Sequence, residues 1–322
     1  VGLNGKSVMP MISGFACAVP AIMSARNIEN RKERLLTILI TPLMSCSARL
    51  PVYTTITALV IPNEYLFGIL SIQGLVLLAM YVAGVILALA VSYVANLFIK
   101  IKEKSFFILE LPTYRSPRWG NLLPTMLGKA KIFVLDAGKV IMIISLVLWG
   151  LSSYGPGARM QAIEKNYQSA LVIPGADTAR IEKEFHAAKL ENSYAGLIGK
   201  QLEPAIAPLG FDWRIGIALV TSFAAREVFV GTMATLFSVG DDTDDSLLNE
   251  KLKAAVRPNG TPLFTLATGL SLMIFYVFAM QCMSTLAVVK RETKSWKWPT
   301  IQLVYMTGLA WLLSWIVYLI FS

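Results

Sequence analysis

A run of 35 residues without Asp, Glu, Lys or Arg lies at positions 65–99: YLFGILSIQGLVLLAMYVAGVILALAVSYVANLFI. A helix needs about 20 apolar residues to cross the hydrocarbon core of a bilayer, so this run is long enough to span it. Shorter uncharged runs occupy 258–289, 298–322, 140–158 and 7–25. These runs predict helices rather than barrel strands, because they lack an alternation of apolar and polar residues and because backbone in lipid must satisfy its own hydrogen bonds.

The composition of the whole chain also favours a membrane protein. Of its 322 residues, 55% are hydrophobic and 15% are charged, against about 25% charged in soluble domains. The net charge of +9 is concentrated in short loops, above all 26–34 and 100–131, which the positive-inside rule places in the cytoplasm. We therefore expect membrane lipid as a partner and no nucleic acid.

The sequence predicts an all-α, polytopic transmembrane helical bundle with broken or re-entrant helices. Residues 1–99 form a first repeat and residues 214–322 a second. Between them we expect a basic, amphipathic cytoplasmic connector at 100–137, a transmembrane helix at 138–154 and an extramembrane segment at 155–213.

The two halves have the same order of elements: an interrupted apolar element, a span with a cysteine and a clean span. The elements are 7–25, 35–60 and 65–99 in the first half, and 215–240, 258–289 and 298–322 in the second. Basic loops flank the first interrupted element and an acidic loop follows the second, as in an inverted repeat, although coincidence is an alternative. Such paired elements indicate a substrate site near the membrane midplane. We expect 215–240 to re-enter, because a full crossing would place the basic loop 290–297 outside.

Charged residues interrupt the apolar runs at Arg49, Arg226 and Glu227. Arg49 has 14 uncharged residues on either side, about 21 Å of helix each way, so it cannot easily reach water. A charge at this depth is a candidate for gating or transport. Arg49 and Glu227 could pair with each other across the two repeats. The alternative is that the arginines form purely structural ion pairs that fix helix packing. Three prolines are expected to shape the breaks in these elements: Pro20, Pro42 and Pro51.

Three cysteines lie in apolar runs, at Cys17, Cys46 and Cys282, and their odd number implies no disulfide framework. Met44 and Met283 lie close to two of them. Sulfur ligands, with the Glu227 carboxylate, suit a borderline divalent metal such as Fe²⁺. The alternative is that the thiols only pack, as buried cysteines commonly do.

Other chemistry has little support in the sequence. The only histidine, His186, lies in the polar segment and is interpreted as a surface residue. Gly5-Lys6-Ser7 resembles the end of a phosphate-binding loop, but the required preceding glycine is not in the sequence. We therefore expect a transporter and not an enzyme.

Five stretches resemble the ferrous iron transport protein B family. GFACAVPAIMSAR at 14–26 and PLMSCSARLPVY at 42–53 are similar to its first gate region. AAREVFVGTM at 224–233 and QCMSTLAVVKRET at 281–293 are similar to its second, and GKQLEPAIAPLG at 199–210 also matches. The resemblance covers the whole chain and makes the repeats gate-type inverted repeats.

The resemblance implies uptake of ferrous iron across the bacterial inner membrane, with Cys17, Cys46 and Cys282 on the iron path. It also implies that GTP acts only through a cytosolic G domain, which is expected to be missing from this fragment. Further partners implied are small accessory proteins of the same iron system and a second copy in a homo-oligomer. Two alternatives are a gate-type carrier of another solute, such as a nucleoside, and a membrane partner that does not transport.

Overall fold

A computed structural model describes residues 5–62, 64–66, 70–99, 119–171, 181, 185, 188–223, 226, 228–237, 252, 255, 262–280 and 282–322. This part is helical apart from an antiparallel hairpin of two-residue strands, β1 (Tyr65–Leu66) and β2 (Leu70–Ser71). The predicted all-α membrane bundle is thus confirmed. The helices of the first half are α1 (Gly5–Gly14), α2 (Ala18–Ser24), α3 (Arg31–Ile40), α4 (Leu50–Val60) and α5 (Ile72–Ile99).

The remaining helices follow in chain order, and short 3-10 turns join several helices of both halves. The helices are α6 (Trp119–Ser153), α7 (Gly157–Leu171), α8 (Tyr194–Ile206), α9 (Trp213–Thr221), α10 (Val228–Leu236), α11 (Leu266–Phe278), α12 (Met283–Thr293) and α13 (Lys297–Phe321). The chain divides into two compact units. The first comprises Val1–Ser47, Val82–Ile144 and Met283–Val304, and the second comprises Ala48–Tyr81, Ser145–Cys282 and Tyr305–Ser322.

The first unit contains a helical hairpin made of α1 and α2. Lys6, near the start of α1, donates to the Glu29 carboxylate just beyond α2 at 3.1 Å, so the two ends of the hairpin lie together. The helices have 10 and 7 residues, about 15 and 10 Å, which is too short for either to cross a bilayer of about 30 Å. The interruption predicted for the element at 7–25 is therefore present, and the two halves of the element form a hairpin.

Proline positions explain where several helices restart. Pro20 is the third residue of α2, Pro51 is the second residue of α4, and Pro42 lies in the 3-10 turn Thr41–Leu43 that follows α3. Proline lacks a backbone N–H, and the first turn of a helix leaves its N–H groups unbonded in any case. The three prolines thus end one helical segment and fit the beginning of the next.

The second unit contains the corresponding interrupted element, α9 and α10. Each helix has only 9 residues, and the hydroxyls of Thr221 and Thr232 join them at 2.9 Å across the break. Asp212 caps α9 by accepting from the Ile215 N–H at 3.1 Å. The predicted interruption of 215–240 around Arg226 is confirmed.

The end of the predicted extramembrane segment 155–213 packs against two apolar helices of the second unit. Trp311 of α13 donates its Nε1–H to the Ala205 carbonyl at 2.8 Å. Ser271 of α11 donates its hydroxyl to the Leu209 carbonyl at 3.0 Å. Residues 205–209 therefore contact both helices, with Ile206 and Leu209 buried in the core of this unit.

The predicted span over 258–289 is present with shifted bounds, because residues 266–293 are long and apolar enough to cross a membrane. The helix begins at Leu266, and it is broken between Phe278 and Met283. The uncharged run has no proline or glycine near the break, so nothing in its composition marked that position.

The predicted span at 65–99 is correct except for its beginning. Residues 65–71 contain the β1–β2 hairpin, and α5 begins at Ile72. The Ser71 hydroxyl accepts the Gly74 N–H at 3.0 Å, which is the capping bond of a helix N-terminus. The absence of charge indicates burial in lipid but does not locate the first helical turn.

The connector and the transmembrane helix predicted at 100–137 and 138–154 meet inside one helix. Residues 100–118 lie outside the described part, and α6 then runs without interruption through the expected boundary at 137.

Four segments of the described chain are long and apolar enough to cross a membrane: 31–60, 72–97, 266–293 and 297–321. In the two segments that contain breaks, 31–60 and 266–293, 67% and 71% of the most apolar stretch is buried inside the protein. In α5 and in α13 that share is only 17%. Non-helical backbone is tolerated at membrane depth only inside protein or beside water. The broken helices therefore lie in the interior, and α5 and α13 present apolar surface to lipid.

Candidate metal path

Each of the three cysteines is the residue directly before a helical segment. Cys17 is the N-cap of α2, with φ −160° and ψ 134°, Cys46 precedes the 3-10 turn Ser47–Arg49, and Cys282 precedes α12. All three are half-buried and take part in no disulfide within the described residues. Helix ends carry backbone groups without intrahelical partners, so each thiol lies beside polar backbone.

Two of these breaks are bonded together in the first unit. The Ser47 N–H donates to the Phe15 carbonyl and the Ser47 hydroxyl donates to the Ala16 carbonyl, both at 2.9 Å. We call residues 15–17 and 44–47 the thiol break pair. Because Ser47 follows Cys46 and Ala16 precedes Cys17, these bonds hold the two cysteine-bearing breaks against each other.

A close backbone approach supports the same arrangement. A Cβ atom on Gly14 would lie 3.3 Å from Thr41 Cγ2 and 3.4 Å from Met44 Cβ, tighter than or at the limit of ordinary contact. Glycine at this position lets the end of α1 reach the turn that leads to Cys46. The lack of a side chain at Gly14 is therefore a requirement of the break pair and not of the helix.

The two methionines differ in their surroundings. Met44 is buried in the first unit, whereas Met283, the first residue of α12, is 38% exposed. Two of the carbonyls beside the first cysteine already accept hydrogen bonds from Ser47, although each carbonyl oxygen has a second lone pair. The groups of the break pair that could bind a soft metal are thus the two thiols and the Met44 thioether, with carbonyl oxygen in support.

Within the described residues, no group of three or more His, Cys, Asp and Glu side chains could hold a metal ion. Glu227 and His186 lie outside the described part. Cys282 belongs to the second unit and Cys46 to the first. The expectation that Cys46 and Cys282 share a site stays a prediction.

Arg226 is buried at 5% exposure and bonds to the end of a broken helix. Its Nη1 and Nη2 groups donate to the carbonyls of Tyr276 and Ala279 at 3.4 and 3.3 Å. These carbonyls belong to the last turn of α11, which is also the negative end of the helix dipole. The guanidinium can therefore stabilise the non-helical conformation that follows α11.

Arg49 is fully buried, at 0% exposure. It ends the 3-10 turn Ser47–Arg49, and α4 begins at the next residue. Its predicted partner Glu227 lies outside the described residues, so the pairing stays a prediction.

Sequence reasoning missed two residues that organise these breaks. Ser47 directly follows Cys46 in the motif at 42–53, and its hydrogen bonds cannot be deduced from spacing. Tyr276 offers the carbonyl for Arg226 and packs its ring on Phe229 at 4.9 Å between centroids. A polar residue adjoining a predicted break was the one signal available for Ser47.

Comparisons with known proteins agree with this geometry. A family model named Gate, described as nucleoside recognition, matches residues 1–60 and 134–296. A second, described as the C terminus of ferrous iron transport protein B, matches residues 77–129. No solved structure matches the chain significantly.

Curated relatives match along nearly all of the chain. An Fe(2+) transporter FeoB of Leptospira biflexa is 43% identical over 98% of this chain, and one of Staphylococcus aureus is 39% identical over 98%. An Fe(2+) transport protein A/Fe(2+) transporter FeoB fusion protein of Porphyromonas gingivalis is 34% identical over 99%. The chain spans only 43%, 41% and 38% of these relatives.

Proposed function

We propose that this chain, which belongs to the Gate family, is a membrane permease domain that moves Fe²⁺. Its resemblance to ferrous iron transport protein B is confirmed by the matching family model and relatives. The observation that carries the proposal is the thiol break pair, which brings two cysteine-bearing breaks together in an interior, broken helix system. The relatives named as Fe(2+) transporters support iron as the substrate.

The chemistry of the breaks favours a borderline or soft cation. Thiolate binds such metals well, whereas Mg²⁺ and Ca²⁺ prefer all-oxygen sites. In this proposal Fe²⁺ passes Cys17 and Cys46 and then meets Cys282, with Met44, Met283 and Glu227 as further ligands. Because a thiol must lose its proton to bind metal, binding weakens as the pH falls.

The second candidate function is transport of another solute. The description of the Gate family as nucleoside recognition favours it. A nucleoside carrier would need hydrogen-bonding side chains matched to a base and a ribose and would not need its thiols. A membrane partner that does not transport is the third possibility. Broken interior helices argue against it, because they lower stability and a scaffold has no need of them.

The wider assembly is also proposed. GTP would act through a cytosolic G domain of the full-length protein, and the permease domain would lie in the bacterial inner membrane. The fusion protein of Porphyromonas gingivalis supports an accessory A-type partner. A homo-oligomer is compatible with the exposed apolar surface of α5 and α13.

The proposal is tested with full-length protein in reducing vesicles loaded with an Fe²⁺ indicator. Cys46→Ser with Cys282→Ser keeps size and polarity but removes two soft ligands, and we expect uptake to fall by at least about tenfold with Mg²⁺ in large excess. Ser152→Ala, at a half-buried position near the end of α6, is the control. Unchanged uptake in the double variant would show that these thiols only pack, and competition by nucleosides would favour the second candidate.

A further inference from the structure

An ion pair joins the end of the α1–α2 hairpin to the end of α12 in the first unit. Arg26 donates through Nε to Glu292 Oε2 at 2.7 Å and through Nη2 to Glu292 Oε1 at 2.6 Å. Parallel bonds of this kind are the strongest arginine–carboxylate arrangement. The Glu292 side chain is only 8% exposed, so the pair is shielded on one side from water and salt.

The helices behind the ion pair are packed through apolar side chains. Ile22, Ala25 and Ile28 at the end of the hairpin form one buried cluster with Val288 and Val289 of α12, and Cys17 packs at its edge. The helix α2 begins directly after Cys17, and α12 begins directly after Cys282. The helices α2 and α12 each begin beside a cysteine, and the ion pair joins them at their opposite, C-terminal ends.

The ion pair also joins two basic loops, 26–34 and 290–297. The first is cytoplasmic by the positive-inside rule, and a bond of 2.6 Å requires the second to lie on the same side. The pair is therefore at the cytoplasmic end of the helices that follow the thiols.

We propose that Arg26 and Glu292 form a cytoplasmic latch that closes the exit from the thiols. The inference rests on the proposed function, since an exit is needed only in a permease. With the latch closed, α12 covers α2; opening the latch lets the two helices separate and gives the cytoplasm access to Cys17. Arg26 and Glu292 are positioning residues, because they act through the helices and touch no substrate in this scheme.

The test measures the reaction of Cys17 with a membrane-impermeant maleimide in inside-out vesicles of full-length protein, quantified by peptide mass spectrometry. Glu292→Gln removes the carboxylate charge, and we expect the labelling rate to rise about tenfold, since charge-assisted bonds of this kind are stronger than neutral ones. Arg26→Glu combined with Glu292→Arg should restore the slow rate in part, since Glu292 also pairs with Arg291 at 3.5 Å and the exchanged arginine would not. Labelling needs no iron, so this result is independent of whether Fe²⁺ is the substrate.

The matched control is Glu29→Gln, which removes the carboxylate that binds Lys6 on the same side of the same hairpin. That carboxylate is 83% exposed, and such surface pairs contribute little, so its labelling rate should equal that of the wild type. If Glu292→Gln does not fold, Arg26→Cys with Glu292→Cys bridged by a short bismaleimide gives a second measurement, and the bridge should keep Cys17 unreactive. Equal labelling in Glu292→Gln and wild type, no rescue by the exchanged pair, or reactive Cys17 in the bridged protein would each overturn the latch.

Discussion

Arg226 is a buried cation whose described hydrogen-bond acceptors are backbone carbonyls at the end of α11. A charge in the interior of a membrane protein needs compensation, and the last turn of a helix offers partial negative charge with orphan carbonyls. The sequence predicts that Arg226 interrupts an apolar element. It could not predict the acceptors, because they lie 50 and 53 residues away along the chain.

Arg226→Leu should destabilise the protein by roughly 2–4 kcal/mol, since it leaves the carbonyls of Tyr276 and Ala279 without donors in an apolar interior. Thermal unfolding in detergent micelles measures the loss. Arg214→Leu is the control: that side chain is 30% exposed and lies over Trp213 and Phe237, so its loss should cost at most about 1 kcal/mol. Equal losses in the two variants would contradict the stabilising role of Arg226.

The candidate site depends on breaks between helices, and only some of these breaks can be recognised from residues in the sequence. Pro20, Pro42 and Pro51 mark the breaks of the first half, and an Arg-Glu pair marks that of 215–240. The break before Cys282 has no such residue, because its stabilising contact comes from Arg226, in the distant break between α9 and α10, and not from local conformational preference. Periodicity and breakers therefore predict the number and order of the elements, while contacts between distant segments decide which breaks adjoin.

Close packing of α8 on α9 is a second feature of elements, and it depends on Gly199. A Cβ atom there would lie 2.5 Å from Ile217 Cγ1 and 3.0 Å from the Ile217 backbone nitrogen. Small residues allow this approach between membrane helices. Gly199→Ala should therefore force the helices apart and lower stability by about 1–3 kcal/mol.

Gly231 of α10 is the control for this prediction, because a Cβ atom there meets nothing within 4 Å. Gly231→Ala should be neutral or stabilising by up to about 1 kcal/mol through better helix propensity. Unfolding midpoints of both variants in the same detergent compare them directly. A Gly199→Ala variant as stable as Gly231→Ala would show that α8 can move away from α9 without loss.

At the scale of the whole chain, the order of crossings fixes which side of the membrane each loop occupies. The Arg26–Glu292 bond joins loops 26–34 and 290–297. Both loops on one side require an even number of crossings between them. The described candidates are α3–α4, α5 and α11–α12, and with the crossing predicted for α6 we expect α9–α10 to add none. Nine-residue helices agree, since about 13 Å reaches only part of the way across.

This topology predicts that α13 crosses outward and that Ser322 lies outside. Added cysteines, Asn27→Cys or Lys297→Cys, should react with an impermeant maleimide only in inside-out vesicles of the full-length protein, because this topology places both loops in the cytoplasm. Cysteines at Gln161 and Ser322 should react only in right-side-out vesicles. The parent protein with its three half-buried thiols gives the background. Labelling of Lys297→Cys from the outside would mean that α9–α10 crosses the bilayer, and it would also remove the cytoplasmic assignment on which the latch depends, since Arg26 and Glu292 could not then be bonded at the inner face.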